Sequence, residues 1–534
     1  MLHKLQAAFA PKKALALLTA AVMAAGSSAT PALAAPGGKS PNFKTATPIK
    51  HLVVIFNENI SFDHYFGTYP VATNPKGEPF FKARPGTPSV NGLTPALRNF
   101  NPNLNPANGT SAANPFRLDR SQAVTGDQDH GYTDEQAAFD AGLMDLFPVH
   151  GGFGSSQVMG YFDGNTVTAL WNYAQSFALS DNSYGTTFGP STPGLLNLVS
   201  GQTNGVAKTL NGTDDEVNGG PDGSLTVIGD ADPIGDVCSN PTRNQVRMEG
   251  KNIGDLLNAA HITWGGFMGG FNLSTVNPNG TTGCARSSAG LAGTTADYIP
   301  HHSLFGYYAS TGNPKHTRPA SLAEIGNDGP ANHQYDLQDF FDAAAAGNLP
   351  AVSFLKAAAY QDGHAGYSDP LDEQTLVVNT INFLESLPTW STTAVVIMYD
   401  DSDGWYDHQM GPILNTSTGP DDTLTGPGAC GTAGTSLPGV HAVANPHALG
   451  RCGYGPRLPL LVVSPWAKRN FVDNTLTDQT SIIHFVEDNW LGGERIGQGS
   501  YDAIANSISQ MFDFSGIRPD GYLFLDPSTG ENKF

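Results

Sequence analysis

Four short runs in this chain are apolar almost throughout: LVVIF at 52–56, AVSFL at 351–355, TAVVIMY at 393–399 and LPLLVVS at 458–464. A strand with one face in water alternates apolar and polar residues, so an unbroken apolar run demands cover on both faces. Amphipathic stretches of helical period stand between the runs, at 134–147, 252–261, 335–347, 372–387 and 477–490. Thr477 or Asp478 is placed to cap the last of these. The alternation predicts an α/β fold with a mostly parallel central sheet flanked by helices on both faces. Tracts rich in Gly, Asn, Pro and Thr near 71–120, 202–245, 272–295 and 413–450 read as long surface insertions in a single domain over residues 35–534.

The first 34 residues read differently. Lys4, Lys12 and Lys13 precede the apolar stretch 14–25, and Ala32-Leu33-Ala34 offers a small-x-small cleavage pattern. That is the design of a secretory signal peptide cut after Ala34, too short for a membrane span. Its removal takes away three lysines and no acids from a chain whose net charge is already −21. A surface that acidic is repelled by nucleic acid and by anionic membranes. Cys238, Cys284, Cys430 and Cys452 contain no C-x-x-C and suit an oxidising periplasmic or extracellular compartment. The favoured pairing is Cys238–Cys284 with Cys430–Cys452, each bracketing a Gly/Asn/Thr-rich loop.

Two of the apolar runs end alike. The first stops at Glu58 and Asn59, the third at Asp400 and Asp401. If adjacent strands bring both ends to one sheet edge, they make an all-oxygen site for one divalent ion of the Mg²⁺, Ca²⁺ or Mn²⁺ class. Each motif alone would equally serve as a turn or a helix cap. In GPSTPG, Pro193 reads as the first helical residue with Thr192 as its cap, which puts Ser191 just before a helix N-terminus. An anion is favoured there, and a hydroxyl beside a metal is a candidate nucleophile for phosphoryl transfer. His130, the pair His301-His302 and His364 sit in compact polar contexts suited to holding phosphate oxygens or protonating a leaving group. His51, His64 and His408 flank the strand-end motifs.

Taken in order, HLVVIFNENISFDHYFGTYP, GPSTP, YIPHH, DGHAGYSDP, MYDDSDGWYDH and GYGPRLPLLVVSPWA resemble the bacterial phosphoesterase family of phospholipases C and acid phosphatase A, over about 49–490. The resemblance implies a core like that of alkaline phosphatase and one metal ion held by Glu58, Asn59, Asp400 and Asp401. It further implies Ser191 as nucleophile and His130, His301, His302 and His364 around the phosphate, with Asn59 also near it. His364 is the favoured leaving-group acid. The family often reads Pro-Asn after the nucleophile, where this chain has Pro193-Gly194. Two ester classes stay open. The acidic surface and the short segment after Trp490 favour a phosphomonoesterase; the alternative is a phospholipase C acting on choline-type lipids. A non-enzymatic alternative is a secreted protein whose acidic loops bind calcium. A sulfatase is disfavoured because GPSTPG lacks the Arg its modification motif needs.

Overall fold

The computed structural model describes residues 44–424, 429–432, 437–441 and 447–533. The signal-peptide expectation for residues 1–34 lies outside them. The central sheet has eight strands. In chain order they are β1 (His51–Asn57), β2 (Ala178–Ser180), β3 (Trp264–Met268), β4 (Gln334–Asp336), β5 (Val352–Lys356), β6 (Thr393–Tyr399), β7 (Leu460–Val463) and β8 (Phe471–Asp473). Across the sheet they lie as β4-β3-β5-β1-β6-β7-β2-β8. Only β7 runs against the rest; β1 pairs in parallel with β5 on one side and β6 on the other.

The four apolar runs all became strands of this sheet, for the reason their pattern gave. Successive side chains of a strand point to opposite faces, and every residue of β1 and β6 is buried. Both faces of the sheet are therefore covered. The register Leu52↔Val352 and Leu52↔Ala394 sets β5, β1 and β6 nearly level, so the three strands leave the core together.

The helices follow the amphipathic stretches with shifted ends. Asn252 and Asp336 cap Ile253–Ala259 and Leu337–Ala345, each through a reciprocal capping box. Asp369 caps Pro370–Glu385, which starts on its proline. The 134–147 stretch is only half helical: Tyr132–Phe139 ends at Asp140, whose φ of 41° is left-handed. Helix Thr480–Trp490 has Gln479 at its N-cap with no side-chain cap, because Thr477 and Asp478 form a short strand beside Ser183–Tyr184. The helix that carries Ser191 also starts earlier than its proline suggests. It runs Ser191–Ser200 with Pro190 as cap, so Ser191 is itself its first residue.

Two of the stretches read as loops carry pairing of their own. The 202–245 stretch with its flanks builds a five-stranded sheet of Asn204–Leu210, Glu216–Asn218, Leu225–Val227, Asp232–Pro233 and Gln245–Met248. Its strands are short and polar, and the exposed centre of Asn204–Leu210 hides the apolar signal. The 272–295 stretch contributes the hairpin Ser287–Gly290 with Gly293–Ala296. The disulfides pair as expected, Cys238–Cys284 tying these two insertions together and Cys430–Cys452 closing the 413–450 insertion.

Candidate active site

The carboxyl ends of β5, β1 and β6 deliver Lys356, Glu58 and Asp400 to one place. Backbone bonds fix these ends: Asp400 N donates to Asn57 O at 3.2 Å, Glu58 N to Asp362 O at 2.9 Å and Ile60 N to Asp401 O at 2.9 Å. Asn59 turns the chain at φ 63°, a left-handed conformation that asparagine tolerates better than most residues, and its N–H donates to Asp400 Oδ1 at 3.0 Å. All four expected metal ligands are buried.

Ser191 arrives from the opposite side on its helix. Its hydroxyl lies 2.9 Å from Glu58 Oε2 and 3.3 Å from Asp401 Oδ2. The helix start packs directly on the Asp400 backbone, since a Cβ at Gly194 would stand 2.3 Å from Asp400 O. The Pro193-Gly194 pair thus has a local cause: no larger residue fits there. Glu135 holds the same loop by accepting from Gly189 N at 2.9 Å and from the Ser402 hydroxyl at 2.7 Å.

The histidines fall into two pairs. His302 Nδ1 is 3.2 Å from Glu58 Oε1, and its ring stands edge-on to His301 at 4.6 Å. His301 Nδ1 lies 3.7 Å from Asp232 of the inserted sheet. On the other flank, Asn59 Nδ2 donates to Asp403 Oδ1 at 2.9 Å, and His130 Nδ1 is 3.5 Å from that same oxygen. The His130 and His364 rings are 6.0 Å apart. A continuous set of short contacts and ring approaches therefore joins all nine residues singled out from the sequence.

Charge is unevenly matched here. Glu58, Asp362, Asp400, Asp401 and Asp403 are all buried, and among them the Lys356 ammonium ion-pairs with Glu58 and reaches Asp400 Oδ2 at 3.1 Å. Burial alone would strip Lys356 of its proton, but Asp400 and Glu58 outweigh it and push its pKa above the usual lysine range. Burial and the Glu58 charge lift Asp400 to about 7; burial, Asp400 and Glu58 lift Asp401 well above the carboxylate range. Burial would depress His130, yet Asp403, Asp230 and Asp127 raise it to about 9. Burial and the neighbouring His130 take His364 down to about 4.

The donor set fits a divalent cation. Asn59 Oδ1 is buried with no partner, Glu58 Oε2 and Asp401 Oδ2 converge on Ser191, and the surplus negative charge calls for a positive one. All the donors are oxygens, which suits a hard ion. Lys356, Asp403, Asp362 and Glu135 escaped the sequence reading. For Lys356 the signal was present: it ends an apolar run just as Glu58 and Asp400 follow theirs.

The profile of the Phosphoesterase family matches residues 49–491. The chain belongs to that family. Among curated relatives it is 26% identical over 477 residues to a non-hemolytic phospholipase C of Pseudomonas aeruginosa, covering 88% of this chain and 57% of that protein. It is 24% identical over 462 residues to phospholipase C B of Mycobacterium tuberculosis, covering 82% and 73%. The chain spans about three fifths of the length of the Pseudomonas and Burkholderia relatives it matches. A solved structure from the alkaline phosphatase superfamily of Vibrio parahaemolyticus overlaps it at 11% identity over 71% of this chain and 68% of that one, with a TM-score of 0.27.

Proposed function

We propose that this family member hydrolyses phosphate esters through a phosphoserine formed on Ser191. The observation that carries this reading is the Ser191 hydroxyl, buried at a helix start between Glu58 Oε2 and Asp401 Oδ2. Glu58, Asn59, Asp400 and Asp401 would hold one divalent ion, which when bound lowers the hydroxyl's pKa and neutralises a phosphate oxygen. The N-terminal end of the Ser191–Ser200 helix favours an anion through the helix dipole, although the Thr192 N–H already donates to Asp230 Oδ1 at 2.9 Å. With its proton given up to solvent, Ser191 Oγ attacks phosphorus in line, while the ester oxygen leaves with a proton. Water then attacks the phosphoserine, releases inorganic phosphate or a phosphate monoester, and restores the serine hydroxyl.

We assign the leaving-group proton to His130, with His364, the residue favoured from the sequence, as the alternative. His130 keeps its proton up to about pH 9, whereas His364 is neutral above about pH 4 and serves as a hydrogen-bonding partner. His301 and His302 complete the wall on the Glu58 side.

Two ester classes divide the substrate reading. The phospholipase C relatives, matched over 82–89% of this chain, support a phospholipid phosphodiester, for which the choline-type lipid of the sequence analysis is the test case, and we place that reading first. The strongly acidic composition supports a soluble phosphate monoester, the second reading. The disulfides support an exported, oxidising location, and no helix among the described residues is long and apolar enough to cross a membrane. The test compares p-nitrophenyl phosphorylcholine with p-nitrophenyl phosphate, on wild type and Ser191→Ala, with and without chelator. Diester turnover that is lost in Ser191→Ala and on chelation, by at least about a thousandfold in kcat, is the expected result. A preference for the monoester would install the second reading. Turnover surviving in Ser191→Ala would remove Ser191 as the nucleophile.

A further inference from the structure

The Glu58 carboxylate is divided between two neighbours. Its Oε2 faces Ser191 with Asp401 Oδ2, beside the partnerless Asn59 Oδ1. Its Oε1 faces the other way, toward the Lys356 ammonium and His302 Nδ1 at 3.2 Å. On that second side His302 and Asp362 add their ligating atoms to Glu58, all three within 4.8 Å of one another. The Nε2 of His302 is buried and has no partner. Imidazole plus two carboxylates at that spacing would hold a divalent ion. The Lys356 side chain stands against the same oxygens, 1% exposed, packed over the Phe56 ring at 4.9 Å and 3.1 Å from Asp400 Oδ2.

We propose that Lys356 is a built-in cation that takes the place of a second divalent ion, and so keeps this a one-metal site. The inference rests on the one-metal reading of Glu58, Asn59, Asp400 and Asp401. The ammonium occupies Glu58 Oε1 and Asp400 Oδ2, which leaves Glu58 Oε2, Asp401 Oδ2, Asn59 Oδ1 and the other Asp400 oxygen for the metal. It also fixes the rotamers of Glu58 and Asp400, which makes it a positioning residue for the metal ligands. Removing its charge leaves the Glu58, His302 and Asp362 cluster uncompensated and open to a second ion of the same class.

Metal content tests this directly. The full-length wild-type protein, saturated with Mn²⁺ and freed of excess by gel filtration, is expected to carry one equivalent by elemental analysis. Its electron paramagnetic resonance spectrum is expected to show isolated Mn²⁺ even at millimolar ion. Lys356→Met should bind two equivalents and give the spectrum of a spin-coupled pair. Lys356→Met with His302→Ala should return to one, and Lys356→Arg should stay at one. A wild-type protein with two equivalents or a coupled spectrum overturns the role of Lys356 while leaving the metal reading intact. Lys356→Met that folds but stays at one equivalent also overturns it. No bound metal in the wild type would sink the metal reading itself. Because the wild-type spectrum alone can refute the inference, it stays testable if Lys356→Met does not fold.

Discussion

Two buried ion clusters flank the points where β1 and β6 leave the core, and they are built in opposite ways. Behind the site, Arg457 is locked between Asp63 and Asp407, both at 3.1 Å, and donates also to Asn91 O at 2.7 Å and Asp181 O at 3.0 Å. His408 Nδ1 closes the set on Asp63 at 2.6 Å. None of these side chains keeps a buried polar atom without a partner. Burial would raise Asp63, but His408 and Arg457 outweigh it and hold it below its ordinary value. A few residues away, the Glu58, Asp400 and Asp401 cluster has more carboxylates than cations and orphaned atoms on its neighbours Asn59, His302 and Asp403. Saturation marks the cluster that holds the loops in place. Incompleteness is what the cluster proposed to hold a metal ion and a phosphate would show.

Breaking the saturated cluster should have the largest effect on stability. Arg457→Met leaves Asp63 and Asp407 buried without their cation, and about 3–5 kcal/mol of folding stability should disappear from urea denaturation curves. A loss under about 1 kcal/mol would show that the two clusters differ less than their contacts indicate. The sign with pH follows from the same pair. Asp63 has a depressed pKa, so its contribution is full above the unfolded value near 4 and fades as pH falls below it.

The incomplete cluster should respond in activity first. His130→Gln is expected to lower kcat by about a hundredfold and to remove the alkaline limb of the pH–rate profile. In wild type that limb should fall through about pH 9, where His130 loses its proton. A limb that persists in the variant would assign the proton to another group. The smallest effect sharpens the contrast most. In chelator, Asp401→Asn should raise stability by about 1 kcal/mol, because it removes one of several repelling carboxylates. Asp63→Asn in the closed cluster should lower it. Thermal melts of both variants read the two signs side by side.

The sequence showed the elements whose pattern is local. Unbroken apolar runs required two-faced burial, so β1 and β6 and the polar residues beyond them were legible. GPSTP likewise pointed to a helix start. What stayed hidden depends on which strands become neighbours. Lys356 ends an apolar run, but nothing local to AVSFLK says that β5 pairs with β1 and so brings that lysine beside Glu58. Asp403 and Asp127 matter only because Asn59 and His130 reach one of them and the other's charge acts on His130. The five-stranded insertion was missed because its strands are short and half exposed, which leaves little alternation to read.

The level exit of β5, β1 and β6 also limits how such a centre can be altered. Adjacent strands repeat about every 4.8 Å, so the three backbones act as a fixed grating from which the donor groups project. Ion preference can then be tuned by reach, exchanging Asp for Glu at one line of the grating while the spacing between lines stays put. An engineer seeking a larger or smaller ion at the proposed metal site would change side-chain length at 58 or 400 and leave the sheet untouched.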